Sequence, residues 1–377
     1  MPALSAAIQA TSEPPIPAMR NWAAHHRAED LLDLTQAVPG YPAHPELLER
    51  LALASGTTGY GSIDGDMALR EAVATESSTV YGAPIAPEQV AITGGCNLAF
   101  AMVMACLAGP GARVGLPTPW FFNHEMTLTI QGATAVPIPC LPEDGFMPDP
   151  ARVAPLLDGL AALVLVTPNN PTGAIYPAAL LHELAELCRA RGVWLVMDET
   201  YRDLLPEGAP HTLFDAADWP DHLVHLYSFS KAYCIPGHRV GAVLGGGAFR
   251  QALPRVIDSY QICPARPAQA ALTWAVPALG AWRAGNRSIM AARATAARAA
   301  VAQMPGWRLD SLGAYFAYMR VPDDGPDAMV LAERLAVDRG LILLPGPFFG
   351  PGQERHLRLA FANAEPALLA ELPARLA

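Results

Sequence analysis

Ser228-Phe229-Ser230-Lys231-Ala232-Tyr233-Cys234-Ile235-Pro236-Gly237-His238-Arg239-Val240-Gly241 sets one amine between hydroxyls, with a guanidinium eight positions further on. A lysine becomes a covalent catalyst when it can form a Schiff base with a carbonyl. Hydroxyls and the planar fork of an arginine suit a phosphate. Together they suit a cofactor that carries both an aldehyde and a phosphate. By itself the stretch also fits a polar strand-to-helix loop with a surface lysine, so the decision rests on its surroundings.

On both sides of this stretch, short apolar runs alternate with longer amphipathic ones. Strands are expected at Val90–Thr93, Arg113–Leu116, Ala133–Pro137, Ala162–Val166, Val193–Met197, His222–Tyr227 and Val240–Leu244. Helices are expected at Asn97–Ala108, Trp120–Gln131 and Ala178–Arg191. Near-continuous apolar strands alternating with helices indicate an α/β fold, a mainly parallel seven-stranded sheet covered on both faces. Ala268 to about Met304 reads as long helix, broken near Pro277–Gly285. Its arginines at 283, 287, 293 and 298 read as a solvated face. Beyond it, strands at Ala314–Arg320, Leu341–Leu344 and His356–Phe361, with a helix at Asp327–Asp338 and another after Glu365, suggest a smaller α+β layer. The expected division is an N-terminal arm over 1–45 packed on the small domain, a large domain over 46–280 and a small domain over 281–377. Residues 1–30 are weakly patterned.

Four more segments bear on the lysine. Asp198 and Tyr201 follow directly on the strand at 193–197, where ligands of open α/β sheets gather. A carboxylate there can keep a pyridine nitrogen protonated, and Tyr201 can reach a phenolic oxygen. Read structurally, Asp198 is a helix N-cap at a strand end. Thr167-Pro168-Asn169-Asn170-Pro171-Thr172-Gly173 is good turn chemistry, and it also offers the Asn170 amide to a ligand. Thr93-Gly94-Gly95-Cys96-Asn97 puts backbone N–H groups at a helix mouth, a place for phosphate or simply a tight loop. Arg358 stands inside the apolar run His356–Phe361, where a guanidinium needs an anion, from a substrate carboxylate or a structural ion pair. Amine, phosphate cradle and pyridine-facing acid together point to pyridoxal 5'-phosphate (PLP).

In this order and spacing the segments resemble the class I/II aminotransferases of the fold-type I, PLP-dependent family, from about Leu31 onward. The resemblance implies a three-layer α/β/α large domain with a smaller α+β domain. It implies that Lys231 is the Schiff-base lysine and proton shuttle, that Asp198 holds the pyridine nitrogen, and that Tyr201 and Asn170 contact the phenolic oxygen. Ser228, Ser230 and Arg239, with backbone at Gly95 and Cys96, match the phosphate site. Trp120 matches the aromatic that stacks on the ring. Tyr60 matches a tyrosine reaching the neighbouring subunit's phosphate, which implies a homodimer with shared sites. Arg358 matches the clamp on the substrate α-carboxylate, and Pro345–Gly350 the loop before it.

Three positions depart from the pattern. Ala37, in the substrate pocket, stands where the family usually has glycine. Cys96 stands where a small or hydroxyl residue is more common, and backbone contact survives that change. Asp258 aligns roughly with an arginine of dicarboxylate-specific relatives, with Arg266 close by; Asp258 there argues for a neutral, aromatic or basic substrate rather than aspartate. The implied reaction moves an amino group from an amino acid to a 2-oxo acid by a ping-pong course. The same apparatus supports C–S lyase chemistry, other elimination or cyclisation, since bond choice follows substrate orientation. A regulatory PLP-binding module is disfavoured, because lysine and aspartate are both present and the residues before Leu31 are too few for a DNA-binding domain.

Composition bounds the rest. The 377 residues are 52% hydrophobic and 16% charged, with formal net charge −10, which argues against nucleic acid or anionic membrane as partner. Six scattered cysteines show no CxxC pair and no zinc-like spacing, so a reduced, cytoplasmic setting and no metal are expected. Met1–Arg20 lacks the pattern of a signal peptide. The pair His222 and His225 is not taken as a metal site, and Gly245-Gly246-Gly247 lacks the Lys-Ser/Thr of a P-loop.

Overall fold

A computed structural model describes residues 2–26, 30–205 and 208–376. Its seven-stranded sheet comprises β1 (Val90–Thr93), β2 (Arg113–Thr118), β3 (Thr134–Pro139), β4 (Ala162–Val166), β5 (Trp194–Asp198), β6 (Leu223–Ser228) and β7 (Gly241–Leu244). The spatial order is β1-β7-β6-β5-β4-β2-β3. Only β7 runs antiparallel to its neighbours.

The apolar runs are continuous because both faces of the sheet are covered. Leu163, Leu165, Leu195 and Met197 pack with the helices Met67–Tyr81, Ala178–Ala190 and Arg266–Ala278. Their neighbours Ala162, Val164 and Val196 pack on the other face with Cys96–Leu107 and Gly247–Gln261. The period-two alternation along a strand assigns successive residues to opposite layers. It carries past the end of β5: Asp198 lies on the face of Val196, and Glu199 on the face of Met197.

A second sheet is antiparallel, in the order Leu344–Pro345, His356–Ala360, Phe316–Arg320, Arg308–Gly313. The run Leu341–Leu344 is therefore not one strand: Leu341–Ile342 pairs in parallel with Leu32–Asp33, and Leu344 turns to the second sheet. The arm is more ordered than its weak patterning suggests. Pro15–Ala23 is a helix with proline in its first turn, and it buries Pro15, Met19 and Ala23 at a four-residue spacing.

The long helical region divides into Arg266–Ala278 and Gly280–Val301, joined at Leu279. Two of its arginines, Arg283 and Arg293, depart from the expected solvated face, whereas Arg298 is exposed. Arg293 falls in the buried stripe with Asn286, Met290 and Ala297, donates to the carbonyl oxygen of Ala362 and pairs with Glu365. Arg283 pairs with Glu76 and Asp203. An acidic partner lies opposite each, which net charge alone cannot show.

Candidate active site

The carboxyl ends of β4, β5 and β6 open on a cavity of about 340 Å³. This is where an open α/β sheet leaves room for ligands. Each strand delivers chemistry in the residues that follow its end: Asn170 after β4, Asp198 closing β5 with Tyr201 just beyond, Ser228 to Lys231 after β6.

Ser228 caps the short helix Phe229–Ala232, its hydroxyl oxygen accepting from the Ser230 N–H at 3.3 Å. This turn carries Lys231 to the cavity wall, where its ammonium donates to the carbonyl oxygen of Ala37. Enclosure of the amine, then the positive fields of Arg358 and Arg239, push it down to about 8. A lysine so shifted is partly uncharged near neutral pH and fit to attack a carbonyl.

Asp198 is 5% exposed. Its oxygens accept from the Thr200 N–H at 3.0 Å and face the Cys96 thiol at 3.8 Å and His124 Nε2 at 3.3 Å. Burial alone raises a carboxyl pKa, but the bonds and field of His124, with Thr200, outweigh it and hold Asp198 below its usual range. An ionised carboxylate thus faces the cavity. The His124 ring is itself clamped, stacked on Phe100 at 3.9 Å between centroids.

At one end of the cavity, Gly95 (φ +95°) caps the helix Cys96–Leu107. A Cβ at Gly95 would lie 2.3 Å from the Arg239 guanidinium, so only glycine allows that approach. Arg239 also donates to the Pro236 carbonyl oxygen at 3.0 Å and lies 3.5 Å from the Ser230 hydroxyl. A helix N-terminus, two serine hydroxyls and a guanidinium make a cradle for a dianion. Toward the other side stands Arg358, 2% exposed. It donates to the Asn170 side-chain oxygen at 2.9 Å and to the carbonyl oxygen of Thr35, and its Nε has no protein partner. Burial lowers its pKa to about 10, and among the described residues no carboxylate lies within salt-bridge distance of it. A buried guanidinium with spare donors calls for an anion from outside the chain.

Most of the residues picked from sequence meet here: Lys231, Asp198, Tyr201, Asn170, Ser228, Ser230, Arg239, Cys96, Ala37 and Arg358 line the cavity, and Gly95 backs it. Two do not. Trp120 is outside the lining; its N–H donates to the Phe349 carbonyl oxygen at 2.8 Å and its ring lies against Gly350. Phe121, the next residue, faces the cavity instead, 5.2 Å from the His124 ring. The backbone bond to Phe349 holds Trp120 against the turn Gly346–Phe349, and its neighbour Phe121 takes the inward place. Tyr60 is 80% exposed and does not reach the cavity of its own chain. His124 was not legible as a site residue, because a single histidine on an apolar helix carries no motif. Of the motifs set aside, His225 is buried 3.0 Å from Glu199 and 2.9 Å from the Tyr81 hydroxyl.

These residues fit PLP on their own chemistry: an amine of depressed pKa, an ionised buried carboxylate, a cradle that a methyl group would fill and an anion-seeking guanidinium. The folded class is that of the fold-type I PLP-dependent enzymes. The family model for aminotransferase class I and II matches residues 29–376, and the chain belongs to that family. It is similar to a probable aspartate/prephenate aminotransferase of Thermus aquaticus, 32% identical over 90% of this chain and 89% of the other. It is similar also to the arginine–pyruvate transaminase of Pseudomonas aeruginosa, 31% identical over 92% and 91%. The solved aspartate aminotransferase from Thermus thermophilus with maleate superposes with a TM-score of 0.90, at 30% identity and full coverage of both chains. The chain is an aminotransferase.

Proposed function

We propose that this chain binds PLP and moves an amino group from an amino acid to a 2-oxo acid by a ping-pong course. The observation that carries this reading is the meeting in one cavity of the Lys231 amine, the Asp198 carboxylate and the buried Arg358 guanidinium, whose Nε has no protein partner. Ser228, Ser230, Arg239 and the N-terminus at Gly95 and Cys96 would hold the phosphate. Asp198 would hold the pyridine nitrogen, and Tyr201 and Asn170 the phenolic oxygen. When bound, PLP supplies an electron sink for the bonds at the substrate α-carbon.

The chain's own groups do the rest. Arg358 grips the substrate carboxylate through its free donors and fixes which α-bond faces the cofactor. Lys231, uncharged above about pH 8, would hold the cofactor through its carbonyl carbon and, once released, would carry the substrate's α-proton on Nζ as base and then acid. Asp198 stays ionised under His124 and favours a protonated pyridine. The phenol of Tyr201 is buried against Tyr315 and Phe316, and burial raises its pKa, so it stays a neutral donor.

Finer points complete the reading. The chain divides into arm, large and small domains near residues 45 and 280. It works as a homodimer with shared sites; the exposure of Tyr60 supports a role reaching outward. Among the described residues no helix is long and apolar enough to cross a membrane, and six free thiols fit a reduced cytoplasm.

The test is steady-state kinetics with an amino acid and a 2-oxo acid varied together. Parallel double-reciprocal lines, with a new amino acid formed in step with the loss of the donor, are expected. Release of ammonia or a thiol without an acceptor would favour elimination instead.

A further inference from the structure

A second, smaller cavity of about 10 Å³ lies behind Lys231, which together with Thr200 and Tyr201 lines both this chamber and the large one. We propose that the chamber holds one ordered water, and that this water exchanges protons with the Lys231 amine while the amine carries the substrate's α-proton. The exchange role rests on the aminotransferase reading; the water site does not.

The far wall of the chamber carries Tyr41, Asp203, Arg283 and Asn286. Two donors on this wall are left over. Asn286 Nδ2 and Arg283 Nε are buried and meet no acceptor in the protein. The other nitrogens of Arg283 are engaged by Glu76 and Asp203. A buried N–H without a partner is costly, and native structures meet such donors with ordered water. Both atoms are shut off from the surface within this one chain, so a second subunit docking from outside does not supply the acceptor. The space suits one water and no more, and the wall offers the two to four polar partners that a buried water needs. The water accepts from Asn286 and Arg283 and donates to Asp203. Burial alone would raise the Asp203 carboxyl, but the charges of Arg202 and Arg283 outweigh it and keep the group ionised. A cation would meet two N–H donors and the charges of Lys231 and Arg283, so water is the occupant that the donor set fits.

The chemistry is an exchange. The Lys231 ammonium passes one proton to the water, and the water returns another of its protons to Nζ. One N–H and one O–H bond break and one of each forms, so nothing is oxidised and no charge leaves. The hydronium formed in passing faces the Asp203 carboxylate. This step decides whether the α-hydrogen is kept or lost to solvent. Asn286 is a positioning residue: it holds the water and does not touch substrate.

The first experiment is a high-resolution crystal structure of the full chain, wild type and Asn286→Leu. One ordered water within hydrogen-bond distance of Asn286 Nδ2, lost in the variant, is expected. A dry chamber in wild type overturns the site, whatever the enzyme does. The second experiment incubates PLP-loaded protein in D2O with L-alanine, L-phenylalanine, L-aspartate and L-arginine in turn. Mass spectrometry reads the deuterium gained at Cα of the recovered donor per unit of cofactor converted. Asn286→Leu, which fills the chamber with apolar bulk, is expected to lower this ratio about tenfold. Asn286→Ala, which removes the amide but leaves room for water, is expected to keep it near the wild-type value. Should Asn286→Leu melt at a lower temperature than wild type, Asn286→Met takes its place. An unchanged ratio in the filled variant overturns the exchange role, and so does an equal fall in the filled and emptied variants, which is what a merely structural asparagine would give. Conversion with none of the donors overturns the aminotransferase reading and the exchange role with it, while the crystal structure still decides the water site.

Discussion

Arg358, on a strand of the small sheet, donates to the side-chain oxygen of Asn170, in the loop after β4, at 2.9 Å. Two sheets thus build one corner of the cavity. Arg358→Ala should lower kcat/KM for amino donors about 100-fold or more, mainly through KM, because a buried charge pair with substrate is lost. Arg358→Lys should recover only part of this, since an ammonium cannot replace a planar fork. An unchanged KM in either variant would show that the substrate carboxylate binds elsewhere.

The glycine of the Asn-Pro-Thr-Gly turn has a second reason to be glycine. Gly173 has φ +77°, and a Cβ there would stand 2.3 Å from the backbone nitrogen of Gly313 in the second sheet. The junction leaves no room for a methyl group from either residue, since a Cβ on Gly313 would lie 2.2 Å from the Gly173 oxygen. Gly173→Ala should destabilise the protein by about 1–3 kcal/mol, combining strained backbone with overpacking. Thermal melting of the apoprotein measures it; a melting temperature equal to wild type would contradict the contact.

Lys231 sets a pH dependence. Its amine is held near 8 by enclosure and by Arg358 and Arg239, well below the ordinary lysine value. The unfolded chain keeps this proton to higher pH, so in that interval it binds more protons than the folded one. The energetic penalty of the enclosed charge is full below about 8 and relaxes as pH rises toward the unfolded value. Schiff-base formation needs the uncharged amine. The rate of PLP uptake by apoprotein should therefore rise with pH and level off near 8, and a rate still climbing steeply above about 10 would show an ordinary lysine.

On the other face of the sheet end, Glu199 is buried among His211 Nε2 at 3.2 Å, His225 Nε2 at 3.0 Å and the Tyr81 hydroxyl. Burial opposes its ionisation, but the two imidazoles hold the carboxyl well below its usual range. The stability this lends is present above the unfolded carboxylate pKa and is lost as pH falls through the depressed folded value. Glu199→Leu should cost about 3–5 kcal/mol by stranding buried polar groups. A melting temperature within error of wild type at neutral pH would refute the network's structural role.

What the sequence made legible is what repeats or what chemistry demands. Continuous apolar strands gave the sheet, because burial on both faces removes the polar alternation. Lys231, Asp198, Asn170 and Arg358 stood out because each is a polar residue at the end of, or inside, an apolar run. The missed features depend on long-range partners. Phe121 and Trp120 are adjacent aromatics, and which one faces inward shows only once Trp120 meets Phe349 and Gly350 from a distant segment. Arg283 and Arg293 look solvated until Glu76, Asp203 and Glu365 arrive opposite them from distant segments. His124 gains its role only because its helix lies across the end of β5. The arm helix is too short to announce itself by periodicity and is held by tertiary packing.

The central claim is that Lys231 carries the cofactor. The most direct test is the absorption spectrum of the protein incubated with PLP and dialysed, beside that of Lys231→Ala treated alike. A visible Schiff-base band retained by wild type, bleached by an amino donor and absent from the variant is the predicted result. A band of equal strength in Lys231→Ala, or none in wild type, would contradict it.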